Sequence, residues 1–185
     1  MIIYIHGFNS ASGSGKAREL HTWLAAHGRG AEFACPDLPH RPAAAIALLS
    51  ERISALPGAQ VKLIGSSLGG FYATWLADRF DVKAALINPA VHVQHALKSA
   101  LGPQKNYHTG EEYVFTQQHL DELAVLDRPA PLRPQNLLLL VETGDAVLDY
   151  RDAVNYYAAS RQIVVPGGDH GFQSFPQYIE TILEF

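Results

Sequence analysis

Short apolar runs recur along the chain, separated by stretches in which apolar residues return every three or four positions. The runs are rich in Val, Ile and Leu. Most of them do not alternate with polar residues, which is typical of strands buried on both faces of a sheet. The runs predict six β-strands, at residues 2–6, 32–36, 61–65, 82–87, 137–143 and 162–165.

The stretches between the runs have the spacing of amphipathic helices. They predict helices at residues 17–27, 43–56, 68–79, 149–159 and 174–185. Because strand and helix alternate regularly, we expect the strands to pair in parallel through right-handed crossovers, with the sheet between two layers of helices. The pattern therefore predicts a compact α/β fold with about six mostly parallel strands and helices on both faces, in a single domain over residues 1–185.

One interval, residues 91–134, departs from this alternation. No strand is evident there, and residues 92–101 and 117–126 have helical spacing around a polar middle at residues 102–116. An excursion of that length in a compact domain is usually functional or disordered, and its helices argue against disorder. We interpret residues 91–134 as a small helical lid inserted after a central strand.

Composition and charge argue against several classes of function. Of the 185 residues, 48% are hydrophobic and 17% are charged, as in a packed globular protein. The formal net charge of −4 provides no basic field for nucleic acid or anionic lipid. The chain starts without a basic leader or a long apolar run, so neither a signal peptide nor a membrane span is expected.

Cys35 is the one cysteine, so no intramolecular disulfide can form and a reducing compartment suits the chain. We therefore expect a cytoplasmic protein. Cys35 lies in a predicted strand, and a buried, inert thiol is a better interpretation than a reactive one.

The segment Gly65-Ser66-Ser67-Leu68-Gly69 matches the pattern G-x-S-x-G directly after a predicted strand and before a predicted helix. A serine on such a sharp turn needs small neighbours, because the backbone is crowded and strained there. The Ser67 hydroxyl would then stand at the carboxyl end of the sheet. A Gly-Ser turn that merely starts a helix is the alternative, and the strand–turn–helix context favours a nucleophile.

A serine hydroxyl is a weak nucleophile at neutral pH and needs a base, which a third group orients. In the chain order Ser, acid, His, the base is His170, on a glycine-rich loop after the last predicted strand. The acid is Asp145, just past the strand at residues 137–143. Asp149 is the rival, but it begins a helical stretch and suits an N-cap. Asp169 adjoins His170, and its side chain is expected to point away from the imidazole.

The tetrahedral intermediate of acyl transfer carries a negative oxygen that backbone N–H groups must meet. One donor is expected from the residue after the nucleophile, Leu68, and the other from the loop after an early strand. The segment His6-Gly7-Phe8-Asn9 leaves the first predicted strand in this way. The N–H of Phe8 is therefore the second candidate for the oxyanion hole.

Three other interpretations are weaker. Gly13-Ser14-Gly15-Lys16 resembles the end of a phosphate loop, but the full pattern needs Gly at position 10 and Ser or Thr at 17, where the chain has Ser10 and Ala17. His92 and His95 could share a helix face, but no third metal ligand is evident, so no metal or cofactor is predicted. A non-catalytic binding protein that kept the fold is the alternative to an enzyme.

Five segments together carry a family resemblance. They are His6-Gly7-Phe8-Asn9-Ser10, residues 65–70, Asn88-Pro89-Ala90-Val91, residues 143–151 and Gly167-Gly168-Asp169-His170. They resemble the α/β-hydrolase fold over essentially the whole chain, and more closely the YqiA-like small bacterial esterases. The chain departs from this resemblance at Gly171, where Ala is expected in close relatives.

The resemblance implies a compact version of the fold without the first two strands of larger members. It also implies a catalytic triad of Ser67, Asp145 and His170, and a small-molecule acyl ester or acyl-coenzyme A thioester as substrate. Residues 91–134 would then overhang Ser67 and set acyl specificity. The candidate substrate contacts in this segment are Tyr107, Tyr113 and Phe115.

Overall fold

The computed structural model describes residues 1–56 and 61–185, and its central feature is a six-stranded sheet. The strands of this sheet are β1 (Ile2–Ile5), β2 (Phe33–Ala34), β3 (Lys62–Ser66), β4 (Lys83–Ile87), β7 (Leu137–Glu142) and β8 (Arg161–Val165). All of their pairings are parallel, in the order β2-β1-β3-β4-β7-β8. The six predicted strands and their parallel arrangement are confirmed.

Helices cover both faces of the sheet. They are α1 (Gly15–Ala26), α2 (Pro42–Ser54), α3 (Leu68–Phe80), α4 (Val93–Ala96), α5 (Gln117–Leu126), α6 (Tyr150–Tyr156) and α7 (Phe175–Glu184). The core between α1, α7 and the sheet is separate from the core that α2, α3, α5 and α6 share with the opposite face. Within the described residues, no helix has both the length and the apolar character needed to cross a bilayer.

The four leucines that open β7 explain why its sequence does not alternate. Leu137 and Leu139 belong to the core on one face of the sheet, and Leu138 and Leu140 to the core on the other. All four side chains are fully buried, and each contributes on the order of 2 kcal/mol through removal of apolar surface from water. A central strand that is covered on both sides needs apolar residues at every position.

The middle of residues 91–134 differs from the expectation of an all-helical lid. Strands β5 (Gly102–Lys105) and β6 (Glu112–Phe115) form an antiparallel hairpin there. Side chains on β6 alternate in exposure, with Tyr113 and Phe115 turned inward and Val114 58% exposed. The exposed valine and the Gly-Pro start of β5 mask the period of two in the sequence.

The flanks of the hairpin are helical, as predicted. Residues 93–100 form α4 followed by a turn of 3₁₀-helix, and α5 covers the predicted residues 117–126. The start of α5 is closed by a capping box between Thr116 and His119. Leu120 and Leu123 of α5 then enter the core on the α2 and α3 side of the sheet.

Candidate active site

Ser67 lies on the sharp turn between β3 and α3, where the sequence predicts a nucleophile. Its backbone has φ 55° and ψ −121°, a conformation that costs a non-glycine residue about 1–3 kcal/mol. Gly69 allows this turn to form, because an added Cβ would overlap the carbonyl group of Ile5 in β1. The Ser67 carbonyl then accepts hydrogen bonds from Gly70 and Phe71 in the first turn of α3.

His170 joins Ser67 to Asp145. Its Nε2 atom lies 3.1 Å from Ser67 Oγ, and its Nδ1 atom lies 2.7 Å from Asp145 Oδ2. In the tautomer with its proton on Nδ1, His170 donates to the carboxylate and can accept the hydroxyl proton of Ser67 at Nε2. The structure therefore brings the three predicted residues together in one chain of hydrogen bonds, at the carboxyl ends of β3, β7 and β8.

The two candidate acids have different surroundings. The Asp145 side chain is 2% exposed, and its second oxygen, Oδ1, accepts hydrogen bonds from the backbone N–H groups of Val147 and Leu148 at 2.8 and 2.9 Å. Asp149 is the N-cap of α6 and accepts from the backbone N–H of Arg151 at 3.0 Å. Asp145 is thus the carboxylate that contacts His170, and Asp149 has the capping position expected for it.

Glu142, the last residue of β7, holds the loop that carries His170. This carboxylate is fully buried and accepts backbone hydrogen bonds from Asp169 and Gln173 at 2.9 Å and from Ser174 at 2.8 Å. Burial raises the pKa of Glu142, but the hydrogen bonds from the loop lower it by more, so that its net pKa lies below the ordinary value. The carboxylate form is therefore the one that fits this site.

Asn88, which follows β4, binds the same loop from a neighbouring strand. Its Nδ2 donates to the carbonyl groups of Asp169 and His170, and its Oδ1 accepts from the backbone N–H of Glu142 at 2.9 Å. Asn88 lies in a segment that carries the family resemblance, but the sequence pattern assigns it no role, and it does not identify Glu142. The signal for Glu142 was available, because a carboxylate that ends an unbroken run of apolar residues is unusual in a buried strand.

The proposed oxyanion donors lie beside Ser67. A Cβ atom added to Gly7 would be 3.3 Å from Ser67 Cβ, so the backbone before Phe8 runs directly past Ser67. Among the described residues, neither the Phe8 N–H nor the Leu68 N–H has a protein acceptor. Two unpaired donors next to a nucleophile are suited to receive a negative oxygen.

His6 fixes the start of the loop after β1. Its Nε2 accepts the backbone N–H of Leu38 at 3.1 Å, so its proton is on Nδ1, which faces the Gly7 carbonyl at 3.0 Å. Burial lowers the pKa of His6, and its hydrogen bond to Gly7 opposes that shift only in part. His6 is thus a neutral, structural histidine that positions Gly7.

A small cavity of about 40 Å³ lies beside Phe8 and Leu68, the two candidate oxyanion donors. Its lining includes Phe8, Leu68, Tyr72 and Tyr113. Tyr113 is one of the three predicted substrate contacts. The other two are placed differently, because Phe115 is 2% exposed in the core and Tyr107 is 80% exposed on the hairpin.

Other residues singled out in the sequence have structural partners. Asp169 accepts from the N–H of Gly171 and from the Gln173 side chain, in keeping with a loop role. Lys16 donates to the Gly171 carbonyl, which ties α1 to the His170 loop. Burial raises the pKa of the Cys35 thiol to about 12, as expected for an inert cysteine.

Several solved structures share the architecture of this chain. Mouse α/β hydrolase domain-containing protein 10 has 17% identity and a TM-score of 0.75, with 99% of this chain and 88% of that chain covered. Est1E from Butyrivibrio proteoclasticus, solved with ferulic acid bound, has 15% identity and a TM-score of 0.71, with coverage of 100% and 86%. The esterase domain of a Rhodothermus marinus protein has 23% identity and a TM-score of 0.63, with coverage of 98% and 83%. The fold is that of the α/β hydrolases.

Among proteins with this fold, the family of the chain is defined by its sequence. Residues 1–185 match the model of the Uncharacterised protein family UPF0227, and the chain belongs to that family. The match covers the entire chain and confirms the expected resemblance to the YqiA-like proteins.

Proposed function

We propose that this protein is a serine hydrolase that cleaves carboxylic esters or thioesters of small acyl substrates. The observation that carries the proposal is the chain of hydrogen bonds from Ser67 Oγ through His170 to the buried carboxylate of Asp145. The hydrolase fold supports it, and so does the likeness to a Rhodothermus marinus esterase domain.

In the first half of the reaction, Ser67 Oγ attacks the acyl carbonyl carbon while its proton passes to His170 Nε2. The carbonyl oxygen becomes an anion that the N–H groups of Phe8 and Leu68 stabilise. Asp145 stabilises the imidazolium and keeps its Nδ1 proton in place. When the intermediate collapses, the bond to the alcohol or thiol breaks, and His170 protonates the leaving group.

In the second half, His170 takes a proton from water, and the resulting hydroxide equivalent attacks the acyl-enzyme. A second tetrahedral intermediate forms at the same two N–H groups. It releases the carboxylic acid and returns the proton from His170 to Ser67 Oγ. Each step uses groups of the chain and water.

The test is an activity panel with covalent labelling. Wild type should hydrolyse acyl esters, with acyl-coenzyme A thioesters and amides assayed beside them, and a fluorophosphonate should modify Ser67. Ser67→Ala should remove both turnover and the label, and His170→Ala should slow acylation by about 10³-fold or more.

The matched control is Ser66→Ala, because Ser66 is the neighbouring serine and is buried at the end of β3. It should still be labelled. Wild-type turnover by folded Ser67→Ala protein would overturn the proposal, and so would an unlabelled, inactive wild type.

A further inference from the structure

The hairpin formed by β5 and β6, residues 102–115, contacts the loop that presents the Phe8 N–H. We propose that this hairpin positions the oxyanion-hole loop, with Asn9 and Tyr113 as positioning residues for catalysis. The inference rests on the proposed function, because Phe8 has a catalytic role only if Ser67 is the nucleophile. It assigns to the hairpin a role different from that of a lid that selects acyl groups.

The Asn9 side chain is the centre of the contact. It is 7% exposed, and both of its polar atoms are bonded to the hairpin. Asn9 Oδ1 accepts from the Tyr113 hydroxyl at 2.7 Å, and Asn9 Nδ2 donates to Gln104 Oε1 at 2.9 Å. Gln104 is itself fixed, since its Nε2 donates to the carbonyl of Ala100 at 2.7 Å.

The backbone of the loop is tied to the hairpin as well. The Tyr107 N–H donates to the Asn9 carbonyl at 2.9 Å, and Asn106 Nδ2 donates to the Ser10 carbonyl at 2.8 Å. The rings of Phe8 and Phe115 meet edge to face, with centroids 5.4 Å apart. Residues 8, 9 and 10 therefore each contact the hairpin, whereas residue 7 is held by His6.

The conformation of Asn9 explains why the loop needs this support. Asn9 has φ 53°, in the left-handed region, which Asn tolerates better than most residues but which still carries a cost. The loop has left the sheet at Ile5, so strand pairing does not fix the peptide that bears the Phe8 N–H. A displacement of about 1 Å at a catalytic group can reduce the rate about 10²-fold.

The Tyr113 hydroxyl is suited to act as a permanent donor. Burial raises its pKa to about 12, so the group stays protonated over the working range of pH. Its bond to Asn9 joins residues that are 104 positions apart in the chain. Removal of the hydroxyl alone would leave the Asn9 Oδ1 atom buried without this donor, while the Tyr113 ring stays in the lining of the small cavity.

The experiment is a double-mutant cycle with steady-state kinetics and a tetrahedral-adduct inhibitor. Tyr113→Phe removes the hydroxyl, and Asn9→Gly removes the side chain with a residue that adopts positive φ freely. We expect Tyr113→Phe to lower kcat about tenfold on short and long acyl esters alike, with KM within about twofold. Affinity for a trifluoromethyl ketone, whose adduct places an oxyanion at the Phe8 and Leu68 N–H groups, should weaken by the same factor.

In the Asn9→Gly background, Tyr113→Phe should cost less than about twofold, because the two groups act through one contact. Tyr178→Phe is the matched control, since among the described residues the Tyr178 hydroxyl has no hydrogen-bond partner, and it should leave kcat unchanged. Fluorophosphonate labelling of Ser67 in each variant separates this proposal from the proposed function.

Several results would overturn the positioning role. They are additive losses in the cycle, a change in chain-length preference at constant kcat on acetate esters, or a fall in melting temperature with unchanged kcat per folded enzyme. If wild type shows no turnover that depends on Ser67, the proposed function fails instead.

Discussion

Two loops meet at Ser67, and they are fixed in different ways. The loop after β8 bears His170 and is bound by Glu142, the last residue of β7, and by Asn88, which directly follows β4. The loop after β1 bears Phe8 and is bound beyond residue 7 by a hairpin outside that sheet. The two proposed catalytic groups, His170 and the Phe8 N–H, therefore depend on different parts of the protein for their position.

A strand end in the core cannot shift without disturbing the sheet, so the His170 loop shares the stability of the whole domain. The hairpin has less of its surface in the core, because Phe115 is the one residue of β5 and β6 that is buried. A two-stranded hairpin is marginal by itself and can loosen at lower cost. Substitutions that remove contacts of the His170 loop should therefore lower both stability and turnover. Substitutions that remove contacts of Asn9 should lower mainly turnover.

The largest expected effect tests the link between His170 and its acid. Asp145→Asn should lower kcat by about 10³–10⁴, because the amide no longer holds the imidazole tautomer that accepts the Ser67 proton. The measurement is kcat on the best ester with folded protein. The substitution alters the proposed acid of His170 and leaves the hydrogen bonds between the His170 loop and Glu142 intact, so it separates the chemistry of His170 from the support of its loop.

Asp149→Asn is the matched control for this change. Asp149 is about half exposed and caps α6, so its replacement should leave kcat near that of wild type and affect stability by no more than about 1 kcal/mol. The assignment of the acid would be reversed if the Asp149 variant lost turnover and the Asp145 variant kept it.

The next largest effect concerns the support that Glu142 gives to the His170 loop. Glu142→Gln should lower the free energy of unfolding by about 1–3 kcal/mol, because an amide NH₂ then faces a backbone N–H that the carboxylate had accepted. Urea denaturation measures this change, and kcat should fall with it. Glu180→Gln, at an exposed position of α7, is the control and should change neither the free energy of unfolding nor kcat. Unchanged stability of the Glu142 variant would show that the Glu142 carboxylate does not hold the His170 loop to the sheet.

The sequence predicted those parts of the site that depend on local pattern. Ser67 and His170 follow apolar strands and are flanked by glycines, so strand ends and turn chemistry located them. Asp145 could be preferred over Asp149 because a strand end and a helix start have different signals. The sheet followed from the same runs, since a strand buried on both faces needs nearly continuous apolar residues.

The supports of the site could not be predicted in this way. The bond between Glu142 and Ser174 joins residues 32 positions apart, and that between Asn9 and Tyr113 joins residues 104 apart. Such contacts leave no periodic trace in a single sequence. The hairpin was missed for a related reason, because its strands are four residues long and present apolar residues to solvent as well as inward.

The smallest expected effect is a change in stability at acidic pH, which should depend on the contacts of the His170 loop and not on those of the Phe8 loop. The ordinary pKa of Glu142 is 4.5, and its folded-state pKa lies below that value. A carboxylate with a lowered folded-state pKa contributes its stability fully above the unfolded value, and this contribution is lost as the pH falls through the folded-state pKa. The stability difference between wild type and Glu142→Gln should thus be constant from pH 7 to about 5 and should shrink below pH 4.5.

Urea denaturation at a series of pH values measures this stability difference, with Glu180→Gln as the parallel control. The contact between Asn9 and Tyr113 contains no carboxylate, so the stability difference between wild type and Tyr113→Phe should stay flat over the same range. A gap between wild type and Glu142→Gln that stayed constant down to pH 3 would show that the charge of Glu142 is not what holds the His170 loop.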